Sequence, residues 1–209
     1  VEVRIAKCEE EAVLAVQGAD AFYGNLTPTI LSAGSDLRWV QATSAGLDDF
    51  FFPELRASSV TVTNLRGIYS DVIADHVFSF VLSFARGMHI YGRRQMVGEW
   101  LKGADVIHLA GTTLGVVGLG GIGLEVAKRG EVFGMRVLAV DPAPKGRPNY
   151  VEEIWGSEKL KDMLSLSDFV VICVPHTDET AFMIDLDAMK EMKSTAILIN
   201  IGRGKVVDL

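Results

Sequence analysis

The chain is poor in cysteine and histidine and has no long apolar run. Its two cysteines, Cys8 and Cys173, are too few for a disulfide framework. Both stand in apolar runs, where buried free thiols are expected. The four histidines are scattered and show no metal-ligand spacing, so no metal is expected. The longest apolar stretch, 77–85, is interrupted by Ser79 and Ser83. It is far shorter than the roughly 20 residues that span a bilayer. A formal net charge of −7 without a basic cluster argues against nucleic acid or an anionic membrane as the main partner. No signal-peptide pattern is seen, and the expected location is cytoplasmic.

What is present suits a protein with a real core. Hydrophobic residues make up 49% of the 209 and charged residues 22%, enough for one large or two small domains. Strand and helix patterns alternate, which predicts parallel βαβ units. Strands are expected at 1–6, 21–23, 38–41 and 60–63, with a helix at 9–16. Another helix is expected from Thr27-Pro28, where Thr27 suits an N-cap and Pro28 the first turn. A long helix is predicted over 71–91. Ile73, Val77, Phe80, Val81, Phe84 and Met88 give it one apolar face, with His76 packed at the edge. Trp100 is expected to anchor the segment that follows. Later strands are expected at 114–117, 137–140, 169–174 and 196–201, with a helix at 186–192.

The strand at 114–117 runs into Gly118-Leu119-Gly120-Gly121-Ile122-Gly123, which reads G-x-G-x-x-G. A helix pattern and a second strand follow, ending at Asp141. In that context the glycines form a dinucleotide-binding fingerprint. Gly118 turns the chain off the strand. Gly120 lets a pyrophosphate approach the backbone, and Gly123 lets the helix pack on the sheet. The helix N-terminus offers N–H groups to phosphate, leaving a nicotinamide or flavin dinucleotide as the ligand class. Asp141, 18 residues beyond Gly123, suits the ribose hydroxyls and repels a 2′-phosphate, so NAD(H) is favoured. Lys145 and Arg147 follow and are read as a solvated loop.

Several further motifs occur in order: Ser167-Asp168, Val174-Pro175-His176-Thr177, Thr180, Met189-Lys190, and Ile199-Asn200-Ile201-Gly202-Arg203-Gly204. Upstream stand Ser44-Ala45-Gly46-Leu47-Asp48, Thr63-Asn64, Ala74-Asp75-His76, and Gln95 followed by Trp100. Together they resemble the D-isomer-specific 2-hydroxyacid dehydrogenase family over almost the whole chain. The resemblance implies an α/β fold of two Rossmann- or flavodoxin-like parallel-sheet domains, with the active site in the cleft between them. Residues 1–72 would form a substrate domain lacking its first strand and helix and its C-terminal return. Residues 73–209 would form an NAD-binding domain with a leading helix, truncated at its C-terminal end.

By the same resemblance Gly121 and Ile122 contact the pyrophosphate. Val174, Pro175, Ile201 and Gly202 line the nicotinamide side, where Thr180 also touches the cofactor. Arg203 matches the catalytic arginine, whose guanidinium suits a 2-oxoacid carboxylate and polarises the neighbouring carbonyl. Ala45 and Gly46 match a loop whose N–H groups bind that carboxylate. The implied activity is NAD-dependent hydride exchange at C2 of a small 2-hydroxy or 2-oxo acid, in a homodimer paired through the cofactor domain. The family's acid–histidine pair follows the arginine motif and has no counterpart here. His176 precedes Arg203 and so does not replace it. A fragment is therefore expected. An NAD(H)-binding sensor or corepressor-like protein on the same fold is the alternative. A formate-type enzyme is disfavoured, because Tyr69-Ser70-Asp71 stands where an asparagine is expected.

Overall fold

The computed structural model describes residues 1–47, 50–144 and 146–209. Asp48 and Lys145 of the sequence motifs lie outside the described residues. The chain divides into two compact units, Val1–Ile68 and Tyr69–Leu209.

The first unit runs α1 (Glu9–Ala15), β1 (Ala21–Tyr23), α2 (Pro28–Ala33), β2 (Trp39–Gln41), α3 (Pro53–Arg56) and β3 (Thr61–Thr63). Its three strands are parallel in the order β1-β2-β3, with Phe22 beside Val40 and Val40 beside Val62. Val16, Ile30, Val40, Ala42 and Leu55 form its core. Thr27 caps α2 as expected: its Oγ1 accepts the Ile30 N–H at 3.3 Å, and Pro28 opens the helix.

The strand expected at 1–6 does not form; among the described residues that segment pairs with no strand. Val1, Val3 and Ile5 are exposed. The segment is held instead through Arg4, whose Nη1 donates to the carbonyls of Ala15 at 3.2 Å and Gln17 at 2.9 Å. Alternating apolar residues make a strand only where a sheet edge pairs with them. Cys8 is exposed rather than buried.

The second unit runs α4 (Ser70–Ala85), α5 (Met88–Met96), β4 (Thr113–Val117), α6 (Gly121–Val132), β5 (Arg136–Val140), β6 (Glu153–Trp155), α7 (Leu160–Leu166), β7 (Phe169–Ile172), α8 (Leu186–Glu191) and β8 (Ile197–Asn200). Its five strands are all parallel, in the order β6-β5-β4-β7-β8. Side-chain alternation splits the core in two. Leu114, Val116, Val137, Ala139, Phe169 and Val171 pack with α4 and α6. Val117, Leu138, Val140, Val170 and Ile172 pack with α7 and α8. Every residue of β4 is buried, as expected for a central parallel strand covered on both faces. β6 escaped the sequence reading, being three residues long with no helix before it.

The long helix expected over 71–91 is two helices. Gly87 stands between them at φ +65°, and a Cβ there would lie 2.5 Å from the Ala104 side chain. The buried face of α4 is Ala74, Val77, Phe78, Val81 and Ala85, while Phe80, Phe84 and Met88 are exposed. Reading only large apolar residues rotated the predicted face, because two of the buried residues, Ala74 and Ala85, are alanines. Trp100 is 97% exposed and so is not a buried anchor for the segment that follows α5. No helix among the described residues is long and apolar enough to cross a membrane.

Candidate cofactor and active site

Strand order sets the position of the site. From β4 the chain proceeds outward through β5 to β6, then returns to the other side of β4 for β7 and β8. The loops after β4 and β7 therefore diverge, and open α/β sheets bind ligands at such a point, beyond the carboxyl ends of the strands.

The glycines at this point have different reasons. Gly118 sits at φ +91°, and a Cβ on it would lie 2.7 Å from the Val174 Cγ1 atom. A Cβ on Gly123 would overlap the Gly118 carbonyl oxygen, so α6 crosses directly on the loop. Gly120 is unlike both. Its φ of −74° suits any residue, and a Cβ there would meet nothing within 4 Å. Packing gives no reason for glycine at 120, whereas a phosphate group against the backbone does. No side chain caps α6, so its first N–H groups are open to an anion. The residues present fit a dinucleotide.

Asp141 follows β5 and ties the loop down. Its Oδ2 accepts the Leu119 N–H at 2.7 Å, and its Oδ1 accepts the Ala143 N–H at 2.9 Å. Each carboxylate oxygen keeps acceptor capacity for a ribose hydroxyl.

The ends of β7 and β8 meet beside the fingerprint. Val174 is buried, and a Cβ on Gly202 would lie 2.5 Å from its carbonyl oxygen. The structure thus brings Gly118, Val174 and Gly202 together. Thr180 folds the loop after β7 onto itself, donating to the Pro175 carbonyl at 2.6 Å and accepting the Thr177 N–H at 2.8 Å. Pro175 is exposed, while Ile201 and His176 are half-buried.

Arg203 closes the turn after β8. Its Nη1 donates to the Gly202 carbonyl at 3.0 Å, and the residue is exposed. Asn200 builds that turn: its Nδ2 donates to the Arg203 carbonyl at 2.9 Å and its Oδ1 accepts the Gly202 N–H at 3.0 Å. Sequence reasoning assigned Asn200 no role. The signal was an asparagine at a strand end before a glycine, which favours a side-chain-closed turn.

Ala45 and Gly46 lie in the first unit, on the exposed loop after β2. Asn64 donates to the Ala45 carbonyl at 2.6 Å, and the Ser44 hydroxyl to the Gly46 carbonyl at 2.7 Å. Two further histidines make local contacts. His76 meets Phe80 edge-on at 4.8 Å, and His89 Nδ1 lies 3.2 Å from the Ser83 carbonyl. No cluster able to hold a metal occurs among the described residues. Burial pushes the Cys173 thiol up to about 12, so this neighbour of Val174 stays protonated.

Residues 78–209 match the family model described as D-isomer specific 2-hydroxyacid dehydrogenase, NAD binding domain. The chain belongs to this dehydrogenase family. The matched part, an NAD-binding domain, carries the glycine fingerprint, Asp141 and Arg203. The glyoxylate reductase of Thermococcus kodakarensis is 36% identical over 189 residues, 86% of this chain and 56% of the relative. The glycerate dehydrogenase of Methylorubrum extorquens is 32% identical over 209 residues, 95% of this chain and 64% of the relative. A solved family member from Aeromonas salmonicida superposes with a TM-score of 0.88 at 29% identity, covering 97% of this chain and 65% of that one. The Aquifex aeolicus D-lactate dehydrogenase, solved with NAD and lactic acid, gives 0.77 at 28% identity, covering 94% and 60%. The chain thus spans between 56% and 65% of the length of these relatives. Their names are those of reductases and dehydrogenases, and none supports the sensor alternative.

Proposed function

We propose that the protein exchanges a hydride between NAD and C2 of a small D-2-hydroxy or 2-oxo acid. One observation carries this reading. Asn200 holds Arg203 in a closed turn at the end of β8, beside the point where Gly118, Val174 and Gly202 meet.

When bound, NAD supplies the ring that gives or accepts the hydride. The N–H groups of Gly121 and Ile122 hold the pyrophosphate, with Gly118, Gly120 and Gly123 shaping the loop. Asp141 accepts from the ribose and disfavours a 2′-phosphate. Val174, Pro175, Ile201 and Gly202 border the nicotinamide, and Thr180 also touches the cofactor. Arg203 grips the substrate carboxylate with paired N–H groups and draws electron density from the adjacent carbonyl. The backbone N–H groups of Ala45 and Gly46 suit an anionic substrate group as well.

The test is loss of NADH absorbance in the complete gene product with glyoxylate, hydroxypyruvate and pyruvate. At least one should be reduced. Arg203→Ala should then lower kcat/KM by roughly a hundredfold or more while NADH affinity holds. No turnover with any 2-oxoacid would overturn the reading. Equal losses of turnover and NADH affinity would make Arg203 structural.

A homodimer paired through the second unit belongs to the same reading. It is supported by the exposed Met96 at the end of α5 and Val97, Trp100 and Leu101 after it, apolar residues of the kind that mark an interface. Native mass measurement should give twice the chain mass, and Trp100→Glu should shift it to the monomer.

A further inference from the structure

Among the described residues Phe182, in the loop after β7, is the one non-glycine residue with a left-handed backbone, at φ +55°. That conformation crowds any residue with a Cβ and belongs by default to glycine. The Phe182 side chain is 52% exposed, so burial of the ring does not hold it there. Strain of this kind persists only where the surrounding structure fixes it.

Hydrogen bonds do so here. Residues 177–181 make a single helical turn, with the Ala181 N–H donating to the Thr177 carbonyl at 2.9 Å. The left-handed residue ends that turn and directs the next N–H elsewhere. The Phe182 N–H donates to the Lys205 carbonyl at 2.8 Å and the Ile184 N–H to the Val206 carbonyl at 3.1 Å. The Asp208 N–H returns to the Ile184 carbonyl at 3.0 Å, so Ile184 and Val207 pair in parallel. Ile184 and Val206 are fully buried in one core, which anchors this short ladder.

Arg203 stands directly before the laddered segment. Gly204–Val206 form one 3-10 turn after it. The Val206 N–H donates to the Arg203 carbonyl at 3.1 Å, and the Val207 N–H to the Gly204 carbonyl at 3.1 Å. The carbonyls of residues 203 to 206 are thus all engaged, the first two within the turn and the last two by the loop after β7. Asn200 holds Arg203 from the strand side, and that loop holds it from the other.

We propose that Phe182 is a positioning residue for Arg203. Its left-handed backbone turns the N–H onto the Lys205 carbonyl and so fixes the turn that carries the arginine. The proposal rests on the reading of Arg203 as the group that grips the substrate carboxylate. A paired contact of that kind tolerates little displacement, since a shift of about 1 Å lowers turnover on the order of a hundredfold.

The test compares Phe182→Gly, Phe182→Val and Phe182→Pro in the complete gene product, with a 2-oxoacid that the wild type reduces. Glycine takes the left-handed conformation freely, valine resists it, and proline excludes it and lacks the N–H. Proline should lower kcat/KM for the 2-oxoacid about tenfold or more, and valine less, with NADH affinity within about twofold of wild type. Glycine should retain turnover and melt roughly 2–4 °C higher. In an Arg203→Ala background proline should add little, because its effect runs through that side chain, whereas a merely structural loop would add its loss in full. Exchange of the Val206 amide should accelerate with proline and valine but not with glycine. Should the proline variant fail to fold, valine carries the same expectations. Unchanged kcat/KM in the folded variants, an equal loss of NADH affinity, full additivity with Arg203→Ala, or unchanged Val206 exchange would each overturn the proposal. Failure of the wild type to reduce any 2-oxoacid would instead overturn the reading of Arg203, and Val206 exchange would still decide whether Phe182 fixes the turn.

Discussion

The two units fix their loops in different ways. In the first, strands of three residues are followed by turns held by side chains: Asn64 on Ala45 and Ser44 on Gly46. In the second, the turns of a longer sheet add close backbone approach to side-chain ties such as that of Asp141 on Leu119. Gly123 crosses on Gly118, and Gly202 on Val174. A side-chain tie is a local bond, lost without moving the strands. A glycine crossing leaves no space into which a side chain can relax, so a small change there is transmitted to the sheet.

The largest expected effect is therefore Gly123→Ala. One methyl placed against the Gly118 carbonyl should cost about 3 kcal/mol or more in urea unfolding and abolish NADH binding. A variant of near wild-type stability would break the comparison. Next comes Leu114→Ala in β4, whose side chain is fully buried; a loss of about 3–5 kcal/mol is expected, with exchange of the β4 amides accelerated throughout. Asn200→Ala mixes the two modes, because a side chain there holds a turn that a glycine crossing also fixes. It should cost about 1–2 kcal/mol and lower kcat more than NADH affinity. In the first unit, Asn64→Ala should cost about 1 kcal/mol and leave amide exchange in β1–β3 unchanged.

The smallest effect concerns the two thiols. Cys8 should react with a thiol reagent at once and Cys173 only slowly. The folded state holds the Cys173 proton up to about 12, while an unfolded thiol loses its proton near 8.5. Its contribution to stability is therefore complete below that lower value and falls as pH rises toward the upper one. Melting of Cys173→Ala and of the wild type should accordingly converge or cross as the pH is raised through this window. Parallel curves would exclude the thiol as the cause.

How much could be read from the sequence follows the same division. Strands β4, β5 and β7 were legible because burial on both faces makes them continuous apolar runs, and the edge strand β8 because three of its four residues are apolar. The fingerprint was legible because backbone crossings demand glycine at fixed spacing. The segment at 1–6 misled, since its apolar alternation reports a strand only when an edge is there to pair. The α4 face was misjudged because alanines pack as tightly as phenylalanines but weigh little in a hydrophobic pattern. Asn200 was passed over for another reason. It is a common polar residue whose meaning comes from what the fold sets beside it, the Arg203 carbonyl.

Asp141 bears on redesign. The carboxylate that accepts the Leu119 N–H also sets cofactor preference in the reading above. Replacing it with a small neutral residue to admit a phosphorylated ribose would remove the tether of the glycine loop in the same stroke. A switch of cofactor in this scaffold therefore calls for a paired exchange, one residue to receive the new phosphate and another to hold Leu119.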